Sequence, residues 1–464
     1  MKLSKAGIKT SRIKEVDPSY PAQDILLQSG QLSQFGSGIY GYNNIPLKVK
    51  QKIEQVIREE LEKKDCIEVE MPTLQPRDIW EESGRWKRYT EEGTMLTVKS
   101  KKGEYGLAPT AEEAIVDFSR DQIASHKKLP VIYYQIGEKY RDEIRNRGCL
   151  LRGKNFLMMD AYSFDKSEED LQKSYDVIKD AYLKIFEKLG LEAMPVAAES
   201  GAIGGDKSEE FMVLSDIGED TVLVDEAGKK GFNVEVLERE NYEEHLKNEY
   251  DIEDTKGLKS KKAIELGHIF QLGTKYSEPM KANYINEKGK EAPYYMGCYG
   301  IGVSRTLATI YEKSLIRDEK ENVGIALPAN IAPYLIQIIA KGEEKEKRAE
   351  ALYEVLKDHG IESVLDDRED GSIGSKIRDC QILGTPYIGI MGNKTKDNEI
   401  EVQSSATGEK RIMKVAELMI ALQKLEKEIQ NNPKARLEDF WDLNKEEKSL
   451  PRKSKNIEIE GDER

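Results

Sequence analysis

Only four cysteines occur in 464 residues (Cys66, Cys149, Cys298, Cys380), and no two are spaced as CxxC. Such scatter excludes a disulfide framework and a thiolate zinc site, and it suits a reducing, cytoplasmic setting. Histidine is as scarce: His126, His245, His268 and His359 stand alone, none at ligand spacing from another. No run approaches the ~18 consecutive apolar residues of a membrane span. The first ten residues, Met-Lys-Leu-Ser-Lys-Ala-Gly-Ile-Lys-Thr, carry charge without the apolar stretch of a secretory leader. Net positive charge is also missing. The 72 Lys and Arg against 86 Asp and Glu give −14, which excludes a non-specific coat on nucleic acid but leaves room for a local basic site. No internal repeat is found. What is present is ample core material: 38% apolar residues in a length that suggests about three domains.

The apolar periodicity places a helix over 46–64, opened by Pro46, and a strand over 67–71 stopped by Pro72. Residues 131–136 and 156–164 read as strands, joined by a polar, Arg-rich hairpin loop. Ser167-Glu-Glu-Asp170 is a capping box for a helix that Gly190 closes. Residues 225–262 are rich in Lys and Glu with few apolar anchors and read as a small, weakly packed insertion. From 335, strand (335–340), helix (343–358), strand (361–365), helix (374–383), strand (387–391) and a helix near 414–430 describe an α/β domain. From Asn431 the chain is a charged, flexible tail.

Four segments carry candidate chemistry. Residues 139–154 place six cations (Lys139, Arg141, Arg145, Arg147, Arg152, Lys154) against two acids, Asp142 and Glu143. Planar guanidinium forks suit phosphate, and Phe156 just beyond the loop suits stacking on a base; the same composition also fits a solvated hairpin tip. Gly297-Cys-Tyr-Gly-Ile-Gly-Val-Ser-Arg305 puts glycines before a helix, where backbone can approach a ligand, but lacks the GxGxxG spacing of a dinucleotide site. Glu265 and His268 sit in an apolar run, where a lone acid and a lone His are more often satisfied core residues than ligands. In Pro109-Thr-Ala-Glu-Glu113, spacing alone makes Thr110 a helix cap with acids in the first turn.

Taken together with Ser83-Gly-Arg-Trp86, Tyr140-Arg-Asp-Glu143, Met159-Asp-Ala-Tyr-Ser-Phe164, Gly267–Ser277 and Met296–Arg305, these segments resemble, in order and wording, the bacterial-type prolyl-tRNA synthetases, class II aminoacyl-tRNA synthetases, over about residues 1–425. The resemblance implies an α+β catalytic domain, an antiparallel sheet flanked by helices (1–224 and 263–330), interrupted by the 225–262 insertion, and a C-terminal α/β anticodon-binding domain (331–430). It implies activation of L-proline by ATP as a prolyl-adenylate and transfer to tRNA(Pro). Arg141 matches the motif 2 arginine on the α-phosphate and carboxylate. Glu143 lies near the adenine end, Arg152 on the ATP-facing loop, and Phe156 under adenine. Arg305 matches the motif 3 arginine, and Glu265 the acid that helps hold Mg²⁺. Thr110 and Glu112 accept from the secondary ammonium of proline, while Met158, His268, Phe270 and Cys298 wall the ring pocket together with Arg141. Asp367, Arg368 and Lys376 fall where the family reads anticodon bases, although the stretch around them carries more acid than base. Residues 40–72 match motif 1, the interface of a homodimer.

The insertion is too short for the usual hydrolytic editing domain. The resemblance therefore implies a synthetase that does not clear alanyl-tRNA itself and leaves that to a separate trans-acting deacylase, with no membrane association. Lys154-Asn155 and Met159 depart from the family's usual wording. A threonine-specific relative is the second reading, opposed by the absence of a Cys/His₂ zinc set; a catalytically dead RNA- or protein-binding paralogue is the third, opposed by the retained phosphate arginines.

Overall fold

A computed structural model describes residues 1–441 except 10–12, 14, 92, 202, 206, 226–230, 253, 254, 256, 318–322 and 370. Helices beside the large sheet include α1 (Asn44–Glu62), α2 (Glu112–Gln122), α3 (Glu168–Lys188), α4 (Tyr242–Tyr250) and α5 (Val303–Lys313). In α1 the residues Ile45, Val49, Ile53, Ile57 and Leu61 recur every fourth position, and all are buried. The Ser167 hydroxyl caps α3 by accepting the Asp170 N–H at 3.2 Å, and Gly190 takes a left-handed φ of 72° just past its end. Helices α1, α3 and α5 share one apolar cluster with the inner face of the sheet.

Among the described residues nine strands form that sheet: β1 (Ile67–Glu68), β2 (Val131–Tyr140), β3 (Asn155–Asp165), β4 (Met194–Ala197), β5 (Lys207–Leu214), β6 (Asp220–Val224), β7 (Gly231–Asn233), β8 (Lys259–Gly273) and β9 (Tyr295–Gly302). Their order is β5-β4-β7-β6-β8-β9-β3-β2-β1. Pairing is antiparallel except β1 with β2 and β7 with β4. The strand expected over 67–71 shrinks to two residues, because Val69 N–H already bonds the Tyr134 carbonyl outside the ladder and Met71 N–H turns to the Gln135 side chain.

The long strand β8 carries a second feature. Its first residues pair with β6 and the rest with β5. Because β5 pairs with β4, β4 with β7 and β7 with β6, five strands close a small ring around Met194, Val196, Met212, Val222, Val224 and Ala263. The strand that completes it, β7, comes from the segment expected to pack weakly. Its anchors are few, but Phe232, Val236 and Leu246 are all fully buried, so the described part of 225–262 is stitched into the large sheet.

The C-terminal unit has strands β10 (Ile336–Ala340), β11 (Ser363–Asp366), β12 (Tyr387–Met391), β13 (Glu399–Ser404) and β14 (Lys410–Lys414), in the order β11-β10-β12-β13-β14. The first three are parallel and the last two antiparallel; α6 (Glu343–Asp358), α7 (Ile373–Leu383) and α8 (Val415–Glu428) complete it. Residues 431–441 do not trail away as expected. Ala435 and Leu437 enter the core, and the Leu437 N–H donates to the Tyr387 hydroxyl at 2.8 Å. The remainder of the expected tail, 442–464, lies outside the described residues. The amino terminus crosses to this unit: Met1 donates to the Ser363 carbonyl at 2.7 Å, and Leu3 packs with Ile45, Tyr334, Val364 and Leu383. No described helix is long and apolar enough to cross a membrane.

Candidate active site

Strands β2 and β3 pair up to Tyr140 opposite Asn155, so residues 141–154 form the hairpin turn expected from the sequence. Its base is fixed by backbone bonds from Arg141 N–H to the Lys154 carbonyl (2.9 Å) and from Lys154 N–H to the Gly38 carbonyl (2.8 Å). Gly38, at the tip of the hairpin 32–42, has a φ of 75°, and a Cβ there would collide with Asn146. Inside the turn Arg152 Nε donates to Glu143 at 2.9 Å. Arg141 has no carboxylate partner among the described residues; its Nε reaches the Pro109 carbonyl at 3.3 Å, and its guanidinium lies 5.2 Å over the Phe156 ring.

Opposite this turn, β9 runs through Gly300 and Gly302 directly into α5. The third residue of that helix, Arg305, points back over β8. Its Nε donates to the Leu151 carbonyl (2.9 Å) and its Nη1 to the Glu265 carboxylate (2.7 Å). Burial alone would raise the Glu265 pKa, yet Arg305 and then His268 hold it well below the usual carboxylate range. His268 stacks on Phe270 with ring centroids 3.8 Å apart, and its Nδ1 lies 3.6 Å from both Glu210 and Glu265. Burial and the Glu265 charge push the Glu210 carboxyl well up.

The third wall is the loop before α2. Thr110 is not the helix cap that spacing suggests. The cap position belongs to Ala111, and the Thr110 hydroxyl donates to Glu112 at 2.8 Å. The loop is held from below by a chain of buried groups: Lys139 to Asp160 (2.6 Å), Tyr162 hydroxyl to Asp160 (2.9 Å), and Ala111 N–H to the Tyr162 oxygen (3.1 Å). Cys298, buried beside Glu112, has its thiol pushed well up by burial, which suits packing and not nucleophilic chemistry.

The geometry brings Thr110, Glu112, Arg141, Glu143, Arg152, Phe156, Met158, Glu265, His268, Phe270, Cys298 and Arg305 to the lining of one cavity of about 220 Å³. The C-terminal candidates behave differently. Lys376 is 1% exposed and donates to the Arg368 carbonyl at 2.8 Å, so it braces its own loop and does not face an RNA. Arg368 binds Asp366 (2.7 Å) and Asp379 (2.5 Å). Asp367 is exposed but accepts from Ser4 through both backbone N–H (2.8 Å) and hydroxyl (2.7 Å).

Several site groups received no site role from the sequence: Arg85, Glu113, Asp160 and Tyr162, which stand inside the quoted motifs, and Glu210, which stands outside them. Each is a polar residue buried by contacts far away in sequence. The available signal was an acid or arginine inside an otherwise apolar pattern, as in Phe156–Phe164 around Asp160.

The likeness to known proteins agrees with this geometry. Residues 95–314 match the family model "tRNA synthetase class II core domain (G, H, P, S and T)", and residues 335–425 match "Anticodon binding domain". The chain is 37% identical over 425 residues to a proline–tRNA ligase of Sulfurimonas denitrificans, covering 88% of this chain and 96% of that one. It is 39% identical over 430 residues to that of Wolbachia sp. subsp. Drosophila simulans, covering 90% and 98%. Against the ligase of Aliarcobacter butzleri it is 32% identical over 575 positions, covering 92% and 100%. A crystal structure of prolyl-tRNA synthetase from Cryptosporidium parvum complexed with halofuginone and AMPPNP superposes with a TM-score of 0.70 at 17% identity, covering 93% of this chain and 82% of that one, and so shares the fold. Fold, motif order and these identities assign the chain to the proline–tRNA ligase family of class II aminoacyl-tRNA synthetases.

Proposed function

We propose that the enzyme joins L-proline to the 3′ end of tRNA(Pro) in two steps on this one cavity. In the first, the proline carboxylate attacks the α-phosphorus of ATP and pyrophosphate leaves; in the second, the terminal ribose hydroxyl of the tRNA takes the prolyl group and AMP leaves. The carrying observation is that Arg141 and Arg305 face the same cavity as the Thr110–Glu112 pair. Two anions must meet there, so positioning and charge neutralisation do most of the work. Arg141, without a carboxylate partner among the described residues, is disposed to bind the α-phosphate and the attacking carboxylate. Phe156 offers a ring for adenine, Arg305 sits where a γ-phosphate would displace Glu265 from its guanidinium, and Glu112 with Thr110 accepts from the ring ammonium. Met158, Phe270, His268 and Cys298 wall the ring.

Magnesium fits the donor set. Glu265 stays ionised, and its Oε1 lies beyond hydrogen-bond distance of His268. Bound there with substrate phosphates, the ion would supply further neutralisation. Exchange of pyrophosphate into ATP, measured amino acid by amino acid, tests the reading: strong exchange is expected with proline, and far weaker exchange with alanine. Exchange with threonine, or none, would overturn it.

The enzyme also lacks its own editing activity. The described part of 225–262 supplies one three-residue strand, one short turn, the helix α4 and the first four residues of β8, and the 575-position alignment to a relative it matches end to end means that relative holds more than a hundred residues absent here. Alanine differs from proline by ring methylenes worth only ~1–3 kcal/mol each, so a separate deacylase is required. Hydrolysis of alanyl-tRNA by the purified chain would refute this. The enzyme works as a cytoplasmic homodimer, supported by four free cysteines and by exposed Phe35 and Ile39 on the hairpin leading into α1; sedimentation tests the dimer. The C-terminal unit reads the anticodon through Asp367 and Arg368, with Lys376 bracing the loop. Asp367→Ala should then raise KM for tRNA and leave proline-dependent exchange unchanged.

A further inference from the structure

Below the amino-acid pocket lies a buried cluster that the two-step reaction does not itself use. Arg85, in the turn after Trp80, is 6% exposed, Glu112 2% and Glu113 0%. One nitrogen of Arg85, Nη1, reaches Glu112 at 3.1 Å and Glu113 at 3.0 Å. Its guanidinium is enclosed by three aromatic rings, with centroids at 5.2 Å (Trp80), 4.3 Å (Tyr89) and 5.1 Å (Tyr276). Ser83 donates to the other carboxylate, Glu113, at 2.7 Å. Such an enclosure lets Arg85 adopt one pose, and Glu112 is thereby held between Arg85 and the Thr110 hydroxyl.

The charge balance of this cluster is the informative part. Two acids face one arginine. The other titratable groups around them include Tyr89, Tyr162, Tyr276 and Cys298, all pushed up by burial and neutral, and Lys275, which is exposed at the rim and donates to the Ile203 carbonyl at 2.7 Å. A buried pair of acids with one shared cation is one positive charge short.

We propose that Arg85 is a positioning residue of the amino-acid pocket, sharing one guanidinium nitrogen between Glu112 and Glu113 and leaving the pair a single positive charge short, which the substrate's ammonium supplies. The inference rests on Glu112 being the acceptor of the proline amine. Until substrate arrives, Glu113 makes up the deficit with a proton: burial first, and the Glu112 charge after it, push its carboxyl up to about 7, with Arg85 opposing. A bound ammonium beside Glu112 favours ionised Glu113, so that proton leaves as proline binds. Proline therefore binds more tightly as pH rises through neutrality, and its secondary amine stays protonated across that range.

Proline-dependent pyrophosphate exchange by the full-length enzyme between pH 6 and 8.5 tests this. In the wild type, KM for proline should fall about tenfold from pH 6 to 8, the factor that one pKa unit represents. Glu113→Gln should flatten that profile, and the comparison subtracts whatever His268 on the opposite wall contributes. Arg85→Lys keeps the charge but loses the fork. It should raise KM for proline about tenfold while KM for ATP moves less than about twofold, the split expected when one subsite alone is loosened. A Glu113→Gln profile parallel to the wild type overturns the proposal, as does an Arg85→Lys enzyme that loses ATP and proline binding equally. If Arg85→Lys does not fold, the Glu113→Gln profile decides alone. A wild type without proline-dependent exchange instead refutes the assignment of function, and this inference falls with it.

Discussion

Two places in this molecule gather arginine, lysine and acids in short stretches of chain, and they end in opposite states. In the turn between β2 and β3 the acids are taken up by Arg152 and Lys154, which leaves Arg141 facing a cavity with no carboxylate of its own among the described residues. In the C-terminal unit the same residue types close on each other: Asp366 and Asp379 hold Arg368, and Lys376 sinks beneath the loop. Composition is similar and the outcome differs, because Arg141 meets no carboxylate among the described residues and Arg368 meets two. That is a property of contacts, and counting charges along the chain does not reveal it.

The contrast breaks most visibly at the catalytic end. Arg305→Ala removes a guanidinium from the cavity and leaves Glu265 without its cation. Exchange should fall by about 10³-fold or more, the scale for losing a preorganised charge at a reacting centre, while the chain stays folded. Near-normal turnover would mean that the cavity is not organised around that arginine. Arg368→Ala should do the reverse. It strips one of two cations from Asp366, whose side chain is fully buried, and should cost about 2 kcal/mol of stability, less than a fully broken buried pair because Lys376 remains and the guanidinium is partly exposed. Proline-dependent exchange, which needs no tRNA, should be unchanged. Thermal unfolding and exchange on one preparation measure both.

Arg152 sharpens the comparison at smaller scale. Its side chain is 44% exposed and shared between Glu143 (2.9 Å) and Glu219 (3.6 Å), so it resembles the C-terminal arginine more than it resembles Arg141. Arg152→Ala should raise KM for ATP only about threefold, in keeping with an exposed ion pair, with kcat for exchange little altered. A loss as large as that of Arg305→Ala would place Arg152 on the phosphates directly.

These differences also mark what could be read from the chain. Helix α1 was legible because five apolar residues repeat at helical spacing, and α3 because Ser167, Asp170 and Gly190 signal both its ends locally. The α/β alternation after 335 was legible for the same reason. Strand β7 was not, since three residues carry no periodicity and form only when Phe232 meets Ala197 across the ring. Motif wording located the cavity, but it assigned no role to Arg85 or Asp160, whose work is done through residues tens of positions away. Lys376 was misjudged because lysine is usually exposed, and the carbonyls that bury it become visible only once α7 has turned back over its loop.

The last effect concerns a buried acid that has no cation partner among the described residues. The Asp165 side chain is enclosed at the end of β3, where it accepts hydroxyl bonds from Ser163 (2.8 Å) and Ser174 (2.6 Å); burial pushes its carboxyl up to about 6. Asp366, equally buried, has two cations instead. An acid whose folded pKa is raised binds its proton more tightly in the native state than in the unfolded chain. The stabilisation is therefore complete below the unfolded value near 3.8 and is lost as pH rises through about 6. Asp165→Asn removes that dependence and substitutes a constant offset for the amide. The difference in unfolding free energy between Asn and wild type should shift in favour of Asn by about 2 kcal/mol from pH 4.5 to 7.5. A difference that stays flat over that range would mean that the two serine hydroxyls already do for Asp165 what Arg368 and Lys376 do for Asp366.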